Sequence, residues 1–295
     1  MKIPKKSFLA PIADYTNSCF REMCISHKAD FAVVPLVSSI AVCNSKKETD
    51  LDFCNEKNTG IQLFGNDPRL MRLAIRRIRD RYDADWFDLN FGCPAAAITG
   101  SGCGSALMGN PEKIGEIIRE CRKEDIVLSA KSRIFEGMEK TIELYRKMED
   151  AGLDFVTVHG RTPKQGYSGK ADWEIIREVK QSLGVPVVGN GDIGTASEGM
   201  EKVKIGCCDA FMVARAAMAN PYLFENKEPS PGIEGKRAMF QEYLEICGRK
   251  GRKDLNDIRL KALNFFHGFE KSRPMRESLS SAKSIGRIME IAGVG

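Results

Sequence analysis

Two apolar patterns alternate along the first 215 residues of this chain. Short, nearly continuous runs recur at 7–12 (SFLAPI), 31–37 (FAVVPLV), 60–64 (GIQLF), 85–90 (DWFDLN), 126–131 (IVLSAK), 154–159 (DFVTVH), 185–190 (VPVVGN) and 209–213 (DAFMV). Runs with so few polar interruptions suit parallel strands covered on both faces. Helical patterns lie between several of them. In DPRLMRLAIRRIRDRY, Leu70, Leu73, Ala74 and Ile78 form an apolar stripe, with Arg72, Arg76 and Arg79 off it. NPEKIGEIIRECRK and TIELYRKMEDAG read the same way, and Asp67-Pro68 and Asn110-Pro111 are good helix starts. Eight strand–helix units in this length predict an α/β fold, a (β/α)8 or TIM barrel. A doubly wound open sheet is the alternative, and no G-x-G-x-x-G follows the first strand to support it.

In such a barrel the chemistry stands at the carboxyl ends of the strands. Those ends carry Pro11 and Ala13, Ser38, Gln62, Asn90 followed by Cys93, Lys131, His159, Asn190 and Arg215. Each has a plain structural reading when taken singly: a strand-end Asn caps a turn, and a lone His satisfies a core. So many polar groups on one rim predict a site. Two loops, GNGDIGTASEG after the seventh run and ARAAMANPYLF after the eighth, lead into helices. That is the usual phosphate position in these barrels. The stretch DLNFGCPAAAITGSGCGSALM (88–108) presents an amide and a thiol, then places four glycines in thirteen residues from Gly92 to Gly104. The spacing predicts a tight loop around Asn90 and Cys93. The thiol itself is open to readings as nucleophile, acid, metal ligand or filler.

Composition narrows the partners. No apolar stretch is long enough to span a bilayer, and MKIPKKSFLAPIAD lacks the apolar core of a signal peptide. A cytoplasmic protein without a membrane partner is expected. Ten cysteines without a C-x-x-C and three scattered histidines predict reduced thiols and no structural metal. A monomer is expected. The net charge is +5, but its location matters more: from Lys236 onward thirteen Lys/Arg face seven Asp/Glu, while the rest of the chain is at −1. NKEPSPGIEGK (226–236) reads as a linker. The expected division is therefore a barrel over 1–228, a linker over 229–235 and a basic helical domain over 236–295. Met239, Phe240, Tyr243, Leu244 and Cys247 form one helical stripe there, and Ile258, Ala262, Phe265, Phe266 and Phe269 another. Eleven basic side chains from Arg249 to Arg287, Lys261 among them, are left for the surface. Such a surface is either a solvated face or a polyanion contact.

LAPIADYTNSCFR, GIQLFGNDP, DLNFGCP, GSGCGSALMGNPEKI, AKSR, VTVHGRTPKQGYSGKADW, VPVVGNGDI and ARAAMANPYLF, in this order, resemble the tRNA-dihydrouridine synthases. The resemblance runs from about Phe8 to Phe224 and implies an FMN-dependent barrel followed by a helical tRNA-binding domain. It implies that Pro11, Ala13, Gln62, Lys131 and His159 contact FMN, with Gln62 and Lys131 on the flavin ring. Asn190, Asp192 and the amides around Ala214 and Arg215 would hold its ribityl phosphate end. Asn90 and Arg133 would address the target uracil, and Cys93 would be the general acid. A thiol, with a reference pKa near 8.5, is largely protonated at pH 7 and fits that task. NADPH or NADH would be the reductant and tRNA the partner. Tyr167 and Trp173 stand near the implied opening, Trp173 in a packing role. The chain departs from the family in AAAIT, which lacks a lysine after Cys93-Pro94, in Cys103, and in ARAA where Gly-Arg-Gly is commoner. The rival readings are an FMN barrel dehydrogenase on a free small molecule, of the dihydroorotate type, and a non-catalytic RNA-binding barrel. On the favoured reading the tail serves RNA and leaves the flavin to the barrel.

Overall fold

The computed structural model describes residues 6–45, 51–53, 56–227, 232–269 and 272–295. Cys54, Lys271, the expected boundary at 228 and residues 229–231 of the expected linker lie outside them. Each expected run contains a strand: β1 (Ser7–Leu9), β2 (Phe31–Ser38), β3 (Thr59–Phe64), β4 (Trp86–Asn90), β5 (Leu128–Arg133), β6 (Phe155–His159), β7 (Val187–Asn190) and β8 (Ala210–Val213). Sequence neighbours pair in parallel, and β1 closes the ring on β8, with Phe8 opposite Met212. The ring is closed, so the open-sheet alternative falls.

The strands are buried on both faces, but the two faces differ. Outward, Phe87 and Leu89 of β4, Leu128 and Ala130 of β5 and Val156 and Val158 of β6 join the core beneath the helices. Inward, one end of the barrel is filled by aromatics. Phe8 and Phe31 stack at 4.7 Å, and Trp86 meets Phe31 edge-on at 5.5 Å. Gly60 of β3 makes room for that indole, because a Cβ there would stand 2.2 Å from Trp86 Cε2. Two residues further along β3 and β4 the inward positions become polar, Gln62 after Gly60 and Asp88 after Trp86. Strand alternation keeps both positions facing inward, since residues i and i+2 share a face.

The helix Pro68–Arg79 starts as expected, with the Asp67 side chain capping Leu70 N. Its buried stripe is Met71, Ala74, Ile75 and Ile78, and Leu73 is 36% exposed. The expected stripe was therefore rotated by about one residue. Glu124 accounts for the rotation: its buried carboxylate draws in Arg72 at 2.7 Å, Arg76 at 2.8 Å and Arg79 at 3.2 Å.

Four helices follow the barrel: Gly232–Arg249, Leu255–Phe265, Ser272–Ser281 and Ile285–Ala292. The first begins inside the segment expected to be linker. Both expected stripes are largely buried, with Ile246 in the core and Leu244 and Phe269 at its margin. They share one apolar cluster with Leu9, Cys19, Phe20, Met23 and Phe211 of the barrel side. Lys261, expected on the surface, is fully buried. Further tail cations face the barrel: Arg249 and Lys250 both pair with Glu22, and Arg252 pairs with Asp52. Part of the basic surplus thus docks the tail. Among the described residues no helix is long and apolar enough to cross a membrane, no three metal-ligating side chains cluster, and nine cysteines are free thiols.

Candidate active site

The strand register assembles the polar end of the barrel. Gln62 stands opposite Asp88, Asn90 opposite Lys131, and Arg133, His159 and Asn190 follow across β5, β6 and β7. A cavity of about 860 Å³ opens there, and all twelve predicted site residues line it: Pro11, Ala13, Gln62, Asn90, Cys93, Lys131, Arg133, His159, Asn190, Asp192, Ala214 and Arg215. Ser38, read as a rim residue, does not line it; its hydroxyl caps Ala41 N of the next helix. Tyr167 is 63% exposed and also lines the cavity, with the Arg215 guanidinium 4.9 Å from its ring centroid. Trp173 packs outside it, donating from Nε1 to Gly191 O at 3.1 Å.

Below the cavity runs a hydrogen-bonded chain. Ser129 Oγ donates to Asp88 Oδ1 at 2.6 Å and Gln62 Nε2 to Asp88 Oδ2 at 2.7 Å. Asn90 Nδ2 donates to Gln62 Oε1 at 2.7 Å, and Asn90 Oδ1 accepts the N–H groups of Gly92 (3.2 Å) and Cys93 (2.9 Å). Asn90 therefore fixes the backbone that carries the thiol. The glycine-rich loop closes behind it: Ser105 N donates to Cys93 O at 3.0 Å, and a Cβ on Gly104 would lie 2.6 Å from that same oxygen. Gly104 also has φ +60, so glycine is required there on two counts. Arg133 ties this loop to the next, with Nε donating to Gly92 O at 2.9 Å and Nη1 to Thr162 O at 3.1 Å and Gly166 O at 3.0 Å. Cys103 is buried in the loop, with its Sγ directed at Ser101 O.

A second clamp holds the opposite wall. Asp192, at φ +53, accepts from Arg161 Nη2 at 2.7 Å, Ala171 N at 2.8 Å and Arg215 Nη2 at 3.1 Å. Its carboxylate is thus engaged by two arginines. Neighbouring Gly191, at φ +129, has no space for a Cβ, which would stand 2.6 Å from Ala171 Cβ. Asn190 Nδ2 donates to Met212 O at 2.8 Å. Ala214 precedes the short helix Arg215–Ala219 with no side-chain cap bond, leaving the first-turn N–H groups beside the cavity without one.

Burial and like charge set the site's electrostatics. Lys131 has no carboxylate hydrogen-bonded to it among the described residues. Burial, then Arg133, brings its ammonium down to about 8. Burial and the surrounding cations, Lys131 first, bring His159 down to about 2, so its imidazole is neutral. Burial pushes the Asp88 carboxyl up, against the hydrogen bonds from Ser129 and Gln62. Three contributors escaped the sequence reading. Asp88 was visible as the inward partner of Asn90 two residues on, and Arg161 stood inside HGRTPKQGY. Leu36 enters the cavity wall at φ +45, where β2 shifts register between Val34 and Val37; only Pro35 hinted at that irregularity.

The chain itself has known relatives. The family model described as dihydrouridine synthase matches residues 8–290. The chain belongs to the dihydrouridine synthase family. It is an oxidoreductase by that membership. A "Probable tRNA-dihydrouridine synthase" of Rhizobium leguminosarum bv. phaseoli is 33% identical, over 86% of this chain and 85% of that protein. One of the same name from Aquifex aeolicus is 27% identical over 96% of this chain and 93% of its own length. "tRNA-dihydrouridine synthase B" of Pasteurella multocida is 29% identical over 77% and 70%. Among solved structures, a histamine dehydrogenase from Rhizobium sp. 4-9 superposes with a TM-score of 0.53 at 12% identity, covering 82% of this chain and 49% of that one. That likeness concerns the barrel fold.

Proposed function

We propose that this dihydrouridine synthase family member reduces the 5,6 double bond of specific uridines in tRNA, with FMN as its cofactor and NADPH or NADH as reductant. The observation that carries the reading is the cavity itself, where Lys131 and Cys93 face one space beside a glycine-built wall. FMN fits the donor set: a tightly turned Gly191–Asp192 backbone and a helix start for a phosphate, and the Lys131 ammonium, with no carboxylate bonded to it among the described residues, for the electron-rich end of a flavin. Pro11, Ala13, Gln62, Lys131 and His159 would hold the ring, and Asn190, Asp192, Ala214 and Arg215 the phosphate end. With its carboxylate engaged by Arg161 and Arg215, Asp192 serves the phosphate end through its backbone. Bound there and reduced by NADPH or NADH, FMN would supply hydride chemistry for carbon 6 of the uracil.

The chain's own residues do the rest. Cys93 holds a proton on Sγ and delivers it to carbon 5, on a backbone fixed by Asn90. Lys131 stabilises negative charge in the cavity. Neutral His159 accepts or donates a hydrogen bond without adding charge. Asn90 and Arg133 flank the place for the base, which must leave its stack to reach this depth. The tail's remaining cations, Lys253 and Lys283 among them, favour a polyanionic strand. The protein works in the cytoplasm, as a monomer. Purified protein is expected to be yellow, to release FMN on denaturation, and to form dihydrouridine in tRNA lacking it. Protein that no added FMN turns yellow sinks the reading.

A further inference from the structure

The tail meets the barrel over a buried cation. Lys261 Nζ donates to Asp257 Oδ1 at 2.8 Å and lies 4.0 Å from the Tyr15 ring centroid, 5.4 Å from that of Tyr243 and 5.5 Å from that of Phe20. A charge taken out of water needs a partner and polarisable surroundings; one carboxylate and three rings supply them. The other oxygen of Asp257 accepts from Tyr243 Oη at 2.6 Å. That hydroxyl in turn accepts from Asn17 Nδ2 at 2.9 Å, while Asn17 Oδ1 caps the helix Ser18–Ser26 at Phe20 N.

Tyr15, the ring nearest the ammonium, joins two walls of the active cavity. Its hydroxyl donates to Met218 O at 2.8 Å, in the helix that starts at the proposed phosphate end. Its neighbour Thr16 holds the loop after β1: Oγ1 donates to Ala10 O at 3.1 Å and accepts from Ile12 N at 3.0 Å. Ala10, Pro11, Ile12 and Ala13 line one side of the cavity, and Ala214, Arg215 and Ala216 line another. A rigid connection between them runs through Tyr15, and the tail's cation holds that ring in place.

We propose that Lys261 is a positioning residue for the cofactor cavity, setting through Tyr15 the spacing between the loop after β1 and the helix after β8. The tail then completes the cavity, contrary to the division of labour expected from the sequence. This inference rests on the FMN reading, and full-length protein separates the two.

FMN affinity is measured by quenching of flavin fluorescence at a temperature where circular dichroism shows each variant folded. Tyr15→Phe keeps the ring under the ammonium and removes one hydroxyl bond; about a five- to tenfold weaker FMN affinity is expected, the worth of one hydrogen bond. Lys261→Met is expected to weaken FMN by about 10²-fold, the scale of a small misplacement in a preorganised site. Lys261→Arg keeps the cation and is expected to bind FMN more tightly than Lys261→Met. If Lys261→Met does not fold, Tyr15→Phe decides. Folded Tyr15→Phe with wild-type FMN affinity, or Met and Arg variants that lower the melting temperature yet bind FMN like wild type, overturns the inference. Wild-type protein that binds no FMN overturns the proposed function instead.

Discussion

The interior of the barrel has two storeys built by the same strands. In β4, Trp86 closes the lower end and Asp88 and Asn90 support the cavity. In β6, Phe155 belongs to the aromatic layer and His159, four residues on, to the site. The lower storey holds by packing, where shape and volume decide. The upper one holds by hydrogen bonds and charge, as in the chain from Ser129 through Asp88 and Gln62 to Asn90. One strand thus carries stability and chemistry a few ångströms apart, and changes in one storey need not disturb the other.

The sharpest way to break this comparison is at the thiol. Cys93→Ala is expected to slow tRNA-dependent reoxidation of the reduced flavin by about 10²–10⁴-fold, as loss of a positioned general acid does. Flavin content and melting temperature should stay at wild-type values. Cys103→Ala is the control, since that thiol is packed in the loop. A slow Cys103→Ala beside a normal Cys93→Ala reverses the assignment.

Phe155→Ala tests the lower storey. It should cost about 3–5 kcal/mol of stability, by loss of a buried aromatic and the cavity left behind, while the folded variant retains FMN. Denaturant unfolding and flavin titration check both halves. Loss of FMN at unchanged stability would show that the storeys are coupled.

Lys131 links charge to pH. Its ammonium is present below about 8 and lost above it, so the turnover it supports should fall as pH rises through that value. The drop is expected to approach about 10²-fold, the scale of removing one electrostatic stabiliser, and Lys131→Met should give a flat, low profile. Stability runs the other way: the folded state favours the neutral amine, so this group costs stability in full below about pH 8, and the cost fades as pH rises from there towards the ordinary lysine value of 10.5. A profile unchanged by Lys131→Met removes the lysine from this role. The smallest effect belongs to Asp88→Asn. The Asp88 charge raises the Lys131 value, so its removal should move the break in the profile to lower pH with little change in the maximum. A break that moves upward contradicts the placement of the carboxylate beneath the lysine.

The barrel was legible because its outward faces are largely apolar, which marks each strand whatever the inward face carries. The rim was legible because strand ends are easy to locate, so all twelve predicted residues reached one cavity. Other features were hidden for physical reasons. Helix rotation over Pro68–Arg79 depends on Glu124, forty-five residues beyond Arg79 in sequence, and no local periodicity contains that partner. Lys261 read as a surface cation because two rings of its cage, Tyr15 and Phe20, come from the other end of the chain. Charge counts did not distinguish the cations that dock on Glu22 and Asp52 from those left to solvent.

Closure of the ring also has a kinetic side. The β1–β8 seam joins Ser7 to Phe211, and Lys6 Nζ reaches Asp209 O across 203 residues. The tail then covers the same region, His27 meeting Glu225 and Glu242. Contacts this distant in sequence carry the largest loop-closure cost and form late. During synthesis the first strand must wait, with one edge unpaired, until β8 (Ala210–Val213) has emerged. The last strand and the tail complete the barrel together, so a ribosome stalled before β8 holds a sheet with two open edges.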